Sequence, residues 1–168
     1  MRRRTFVCSA SAYARRESKL TFNGMIRSFA PWIRTSGVRP FFTQSLGAVP
    51  IPLYQDAASA EFVFPIVNAE VAFAVVEDQE QVDKMLEAMP QVPMLKHVYY
   101  DDPRGLRNYE GVTSFSRLQE IGREFDRANP GWYEAEIAKG DADEVSVMLY
   151  TSGTTGKPKG VCQTHAAF

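Results

Sequence analysis

The run Tyr150-Thr-Ser-Gly-Thr-Thr-Gly-Lys-Pro-Lys-Gly160 places two hydroxyl pairs, three glycines and two lysines within eleven residues. This combination suits the grip of a polyphosphate. Gly153, Gly156 and Gly160 allow backbone conformations that other residues resist, and they let main-chain N–H groups approach an anion closely. Thr151, Ser152, Thr154 and Thr155 add hydroxyl donors. Lys157 and Lys159 add cations, each a mobile point charge for phosphate. A solvated loop of Gly, Ser and Thr has no need of so many donors beside two cations. The pattern is not the P-loop G-x-x-x-x-G-K-[ST], because Pro158 follows Lys157, and no G-x-G-x-x-G fingerprint is present.

The elements that must position this loop alternate along the chain. The apolar run from Gly47 to Leu53 reads as a buried strand with prolines near its end. Ala57 to Asn68 reads as a helix with Phe62, Val63, Ile66 and Val67 on one face, and Pro65 should kink it. Val71 to Val76 is a near-continuous apolar strand, of the type buried on both faces of a parallel sheet. Asp78 with Gln81 forms a capping-box-like start, and Val82, Met85, Leu86 and Met89 make a helical core stripe. Lys96 to Tyr100 is the next strand, followed by a charged loop through Asn108. Ser114 can cap a helix carrying Phe115, Leu118, Ile121 or Gly122, and Phe125; Asn129-Pro-Gly131 breaks it. A short helix from Trp132 to Ala138 and a polar turn precede the strand Glu144 to Tyr150, which delivers the loop. Thr164 can cap a further helix beginning at His165, whose dipole would add positive potential near the loop. Such alternation predicts an α/β fold with a parallel sheet, in which ligands bind beyond the carboxyl ends of the strands.

Composition narrows the function classes. The chain has 168 residues, is 45% hydrophobic and carries a net charge of -1. Residues 1–40 hold nine of the 19 basic residues and one of the 20 acidic ones, which leaves ten basic against 19 acidic in the body. An acidic body argues against nucleic acid, whose phosphates need clustered cations. Cys8 and Cys162 lie far apart and fit no metal spacing, and two free thiols fit a reducing compartment. His97 and His165 are isolated, so no metal site is expected; Cys162 and Ser152 lack an evident base partner, so no catalytic nucleophile is expected either. No apolar run reaches the ~20 residues of a membrane-spanning helix.

Leu149-Tyr-Thr-Ser-Gly-Thr-Thr-Gly-Lys-Pro-Lys-Gly-Val161 resembles the AMP-binding signature of the adenylate-forming superfamily, which includes acyl-CoA synthetases, peptide-synthetase adenylation domains and luciferases. Gln44-Ser-Leu-Gly-Ala-Val-Pro-Ile-Pro-Leu-Tyr-Gln-Asp56, Val75-Val-Glu-Asp-Gln-Glu-Gln-Val82 and His97-Val-Tyr-Tyr-Asp-Asp-Pro-Arg-Gly-Leu-Arg107 are most similar to the long-chain fatty acyl-CoA synthetase branch. The resemblance covers residues 44–168 and implies a partial N-terminal domain, with the phosphate loop near its end. Residues 1–43 form an atypical basic head. It reads as a disordered tail, an organelle transit peptide or the product of a shifted reading frame, since the likeness begins abruptly near Gln44.

The resemblance implies an ATP-dependent ligase. It would join a fatty carboxylate to AMP and pass the acyl group to coenzyme A. Thr151, Ser152, Gly153, Thr154, Thr155, Gly156, Lys157 and Lys159 would embrace the β and γ phosphates of ATP, with Mg²⁺ sharing the charge. The partners implied are ATP, a fatty acid and coenzyme A, and peripheral membrane association is compatible with them. The implied location is the cytoplasm, or the mitochondrion if the head is a transit peptide. Family motifs for an acidic Mg²⁺ ligand, adenine, ribose and a C-terminal lysine are not among these residues. The chain alone is therefore expected to be inactive and poorly soluble. A truncated remnant and a peptide-synthetase adenylation domain are the alternatives.

Overall fold

The computed structural model describes the backbone of Thr5–Ser9 and all of residues 44–151 and 158–167. Its strands are β1 (Thr5–Ser9), β2 (Val49–Leu53), β3 (Val71–Val76), β4 (His97–Tyr100), β5 (Val112–Ser114), β6 (Val145–Thr151) and β7 (Lys159–Thr164). Its α-helices are α1 (Ser59–Asn68), α2 (Gln79–Ala88), α3 (Phe115–Ala128) and α4 (Trp132–Ile137). A five-stranded sheet has the order β2-β1-β3-β4-β5, and β6 pairs with β7 in a second, two-stranded sheet.

The α/β character follows from the β3–α2–β4 unit. β3 is apolar throughout and buried along nearly its whole length. A strand of this kind must be covered on both faces. β4 pairs parallel to β3, with Val76 opposite Tyr100, and β5 pairs parallel to β4. β1 lies between β2 and β3 and is antiparallel to both, so the sheet is mixed. The short β5 was not expected from sequence; it follows the charged loop expected through Asn108 and ends on Ser114, the residue that caps α3.

One main core forms where α1 and α2 meet the sheet. Ile51 of β2, Phe62 and Ile66 of α1, Val71, Ala74 and Val76 of β3, Val82 and Met85 of α2, and Val98 of β4 share it. On β4, the alternate residue Tyr99 stacks with His97 and meets Phe73 edge to face. Burial disfavours the charged form of each, pushing the Tyr99 phenol up to about 12 and lowering His97 from its ordinary value.

The helix starts follow the capping chemistry. Asp78 accepts from the Gln81 N–H at 3.3 Å. The return bond is donated by the Glu77 N–H to Gln81 Oε1 at 2.9 Å, one residue earlier than a capping box requires. Ser114 accepts from the Arg117 N–H at 3.2 Å, and Phe115, Leu118 and Gly122 are the buried residues of α3.

The structure corrects two expectations about the helices. In α1 the buried face is Phe62, Pro65 and Ile66, and Val67 is 42% exposed. Four apolar residues in six define no single stripe, and the i, i+3, i+4 set through Phe62 excludes Val67. Pro65 therefore has a place in the core, while its carbonyl accepts from the Ala69 N–H at 3.0 Å. The second correction is at the C-terminal side, where Thr164 caps no α-helix. It ends β7, and His165–Ala167 form one 3₁₀ turn. The His165 and Ala166 amides donate to the carbonyls of Glu144 and Ala142 at 3.1 and 2.8 Å, so they are not free to face an anion.

The buried face of α1 is testable. Ile66→Ala is expected to lower unfolding free energy by about 2–5 kcal/mol, and Val67→Ala by under about 0.5 kcal/mol. Urea unfolding of the two variants measures the contrast.

Candidate functional site: a loop carried on a strand pair

The loop is carried by β6 and β7. They pair antiparallel, with Thr151 opposite Lys159, Tyr150 opposite Gly160 and Leu149 opposite Val161. The seven residues 152–158 connect them. Ser152, Gly153, Thr154, Thr155, Gly156 and Lys157 lie outside the described residues. Thr151 and Lys159 are described, and both are exposed at the mouth of the pair. The register thus brings one hydroxyl and one cation of the expected site together, on the two strands that bracket the rest.

The carrier differs from the expected one. β6 ends at Thr151, but the chain returns as an antiparallel strand, not as a crossover helix of a parallel sheet. β7 was not foreseen, although Lys159-Gly-Val-Cys-Gln-Thr164 contains two residues of fair strand propensity, Val161 and Thr164.

The pair has two different faces. Alternation puts Leu149, Val161, Thr151 and Lys159 on one face, where Leu149 is 37% and Val161 45% exposed. Met148 and Tyr150 point the other way and pack against the main core. Tyr150 is the best anchored. Its Oη donates to Asn68 Oδ1 at 2.6 Å, and its ring meets Phe64 edge to face at 6.2 Å. Burial, with a smaller contribution from Cys162, pushes the Tyr150 phenol above its ordinary value. Neither Asn68 nor Phe64 stands out by motif in the sequence, because a single hydrogen bond across 82 residues leaves no local pattern.

The start of β6 is held separately. The Gln44 side-chain amide donates to both the carbonyl and the hydroxyl of buried Ser146, each at 2.9 Å. Ser45 bonds Tyr133 at 3.1 Å, which ties α4 to the same segment. Gly160 has a steric role. A Cβ there would lie 3.2 Å from Met148 Sδ and 3.3 Å from Tyr150 Cζ, tighter than ordinary contact. Among the described residues, no cluster of three or more His, Cys, Asp or Glu could hold a metal ion. No helix among them is long and apolar enough to cross a membrane.

A family model described as AMP-binding enzyme matches residues 43–168, which contain this strand pair and its loop. The chain belongs to the AMP-binding enzyme family. Its similarity to the long-chain-fatty-acid–CoA ligase ACSBG2 of Xenopus laevis is 26% identity over 121 residues, covering 71% of this chain and 16% of that protein. With human long-chain-fatty-acid–CoA ligase 1 it shares 31% over 125 residues, covering 68% of this chain and 17% of that one. The fold matches the anthranilate CoA ligase AuaEII, solved in complex with anthranoyl-AMP, with a TM-score of 0.61 and 21% identity over 85% of this chain and 28% of that one. The chain thus spans less than a fifth of the length of the curated ligases it matches.

Steric control by Gly160 gives a prediction. Gly160→Val is expected to displace Tyr150 or Met148 and to cost about 1–3 kcal/mol. Thermal unfolding, with near-ultraviolet circular dichroism to follow the tyrosine environment, measures it.

Proposed function

We propose that this chain is the ATP-phosphate-binding part of an AMP-forming acyl-CoA ligase acting on a fatty carboxylate. The observation that supports this most is the pairing of Thr151 with Lys159 at the ends of β6 and β7. It sets a hydroxyl and a cation side by side at the two roots of a loop made of further hydroxyls, glycines and Lys157. Residue types of this kind neutralise and orient a triphosphate and need no group of their own to form a covalent bond. The resemblance of Gln44 to Asp56, Val75 to Val82 and His97 to Arg107 to the long-chain branch supports the choice of carboxylate.

The chemistry proceeds in two displacements. A substrate carboxylate oxygen attacks the α-phosphorus of ATP; the bond from that phosphorus to the bridging oxygen breaks, and pyrophosphate leaves. The thiol of coenzyme A then attacks the acyl carbon, loses its proton, and expels AMP as the carbon–oxygen bond breaks. In the first displacement, charge builds on the departing pyrophosphate. Lys157 and Lys159 lower its energy as cations, and Thr151, Ser152, Thr154 and Thr155 donate to its oxygens. Mg²⁺ would arrive with the triphosphate and share that charge. The ladder holds the backbones of Thr151 and Lys159 opposite one another, and donors fixed in this way need not reorganise as charge shifts.

Binding and turnover separate in this proposal. The 168-residue chain is expected to bind magnesium ATP and to show no carboxylate-dependent ATP–pyrophosphate exchange. Lys159→Ala is expected to weaken binding on the order of tenfold, the scale of one charge-assisted contact. Isothermal titration measures the first and labelled pyrophosphate exchange the second. Failure of the chain to bind magnesium ATP would overturn the proposal, and exchange in its presence would show that the chain alone is competent.

A further inference from the structure

We infer that Asn68 is a positioning residue for the phosphate-binding loop, acting through Tyr150; this rests on the proposed function of that loop. Asn68 is the last residue of α1, a helix fixed by the buried side chains of Phe62, Pro65 and Ile66. Its Oδ1 accepts the Tyr150 hydroxyl proton at 2.6 Å. One turn earlier on the same helix, Phe64 closes on the Tyr150 ring edge to face at 6.2 Å. Tyr150 is the residue before Thr151, where the loop begins. On the returning strand, Gly160 stands opposite Tyr150 and carries no Cβ to push the ring away.

Two contacts from one helix therefore fix the ring at the root of the loop, and the missing side chain opposite makes room for it. A phenol has two side-chain torsions, so holding its ring and its hydroxyl fixes both. The strand pair is joined by its own ladder, but that ladder fixes β6 only relative to β7. The Gln44–Ser146 bonds and the packing of Met148 hold the start and middle of β6 to the rest of the fold, and the Tyr150–Asn68 bond holds its loop end to α1, which packs on β3. Asn68 is neutral, so its effect on a bound anion is geometric rather than electrostatic. A donor displaced by a fraction of an ångström loses much of its interaction with a phosphate oxygen. Asn68 itself is exposed, so its replacement leaves the core intact.

The test uses the 168-residue chain with Asn68→Ala, Tyr150→Phe and the double variant. Each single change is expected to weaken magnesium ATP binding about two- to tenfold, the range of one net hydrogen bond. The double variant is expected to bind no more weakly than the worse single one, because both changes remove the same link. Hydrogen–deuterium exchange of the flanking strands, Val145–Thr151 and Lys159–Thr164, gives a second readout, without nucleotide. Exchange there is expected to speed up in Asn68→Ala and Tyr150→Phe, and to return to the wild-type rate in Asn68→Asp, which keeps an acceptor. Unchanged binding, additive losses in the double variant, or exchange in Asn68→Asp as fast as in Asn68→Ala would each overturn the inference. If the wild-type chain binds no magnesium ATP, the proposed function fails by itself. The exchange rates then decide whether Asn68 holds the loop.

Discussion

The apolar strand Val71–Val76 has to be covered on both faces, and the rest of the structure is arranged around that need. Its own side chains cannot do this, so neighbouring elements must. Phe62 and Ile66 of α1 and Val82 and Met85 of α2 supply one cover, and β1 and β4 take up its backbone groups on either edge. The same helix that covers β3 ends at Asn68, and Asn68 meets the hydroxyl of Tyr150. A hydrophobic requirement in the sheet thus leads, in two contacts, to the root of the loop between β6 and β7.

The loop's chemistry depends on a second, smaller arrangement. β6 and β7 keep Thr151 and Lys159 opposite one another, and Gln44 holds Ser146 near the start of β6. The strand pair shows two faces with different tasks. Tyr150 and Met148 pack inward against the core, while Leu149 and Val161 remain substantially exposed on the other side. An exposed aliphatic pair of this kind favours association.

Where the sequence was legible, a local rule decided the outcome. The period of Val82, Met85, Leu86 and Met89 placed α2, and Asp78 and Ser114 capped the helices they were expected to cap. β3 appears at the residues its apolar run indicates. The failures share a different cause. Val67 is apolar but lies off the buried face, because an apolar run in a helix does not say which stripe will meet the sheet. β7 and β5 exist through their partners, and pairing over a distance has no signature in a segment of three to six residues. Of the eight residues expected from the resemblance to bind nucleotide, the structure describes two, Thr151 and Lys159, and brings them together. The contacts of Asn68 and Phe64 with Tyr150, and of Gln44 with Ser146, were not legible, since each joins residues distant in sequence.

The central claim is that the loop rooted at Thr151 and Lys159 holds the β and γ phosphates of ATP. The most direct measurement is a competition titration of the purified chain with magnesium ATP, tripolyphosphate and AMP. The account predicts that tripolyphosphate displaces ATP and that AMP, which lacks both outer phosphates, displaces it far less well. Displacement by AMP as effective as by ATP, with none by tripolyphosphate, would contradict it.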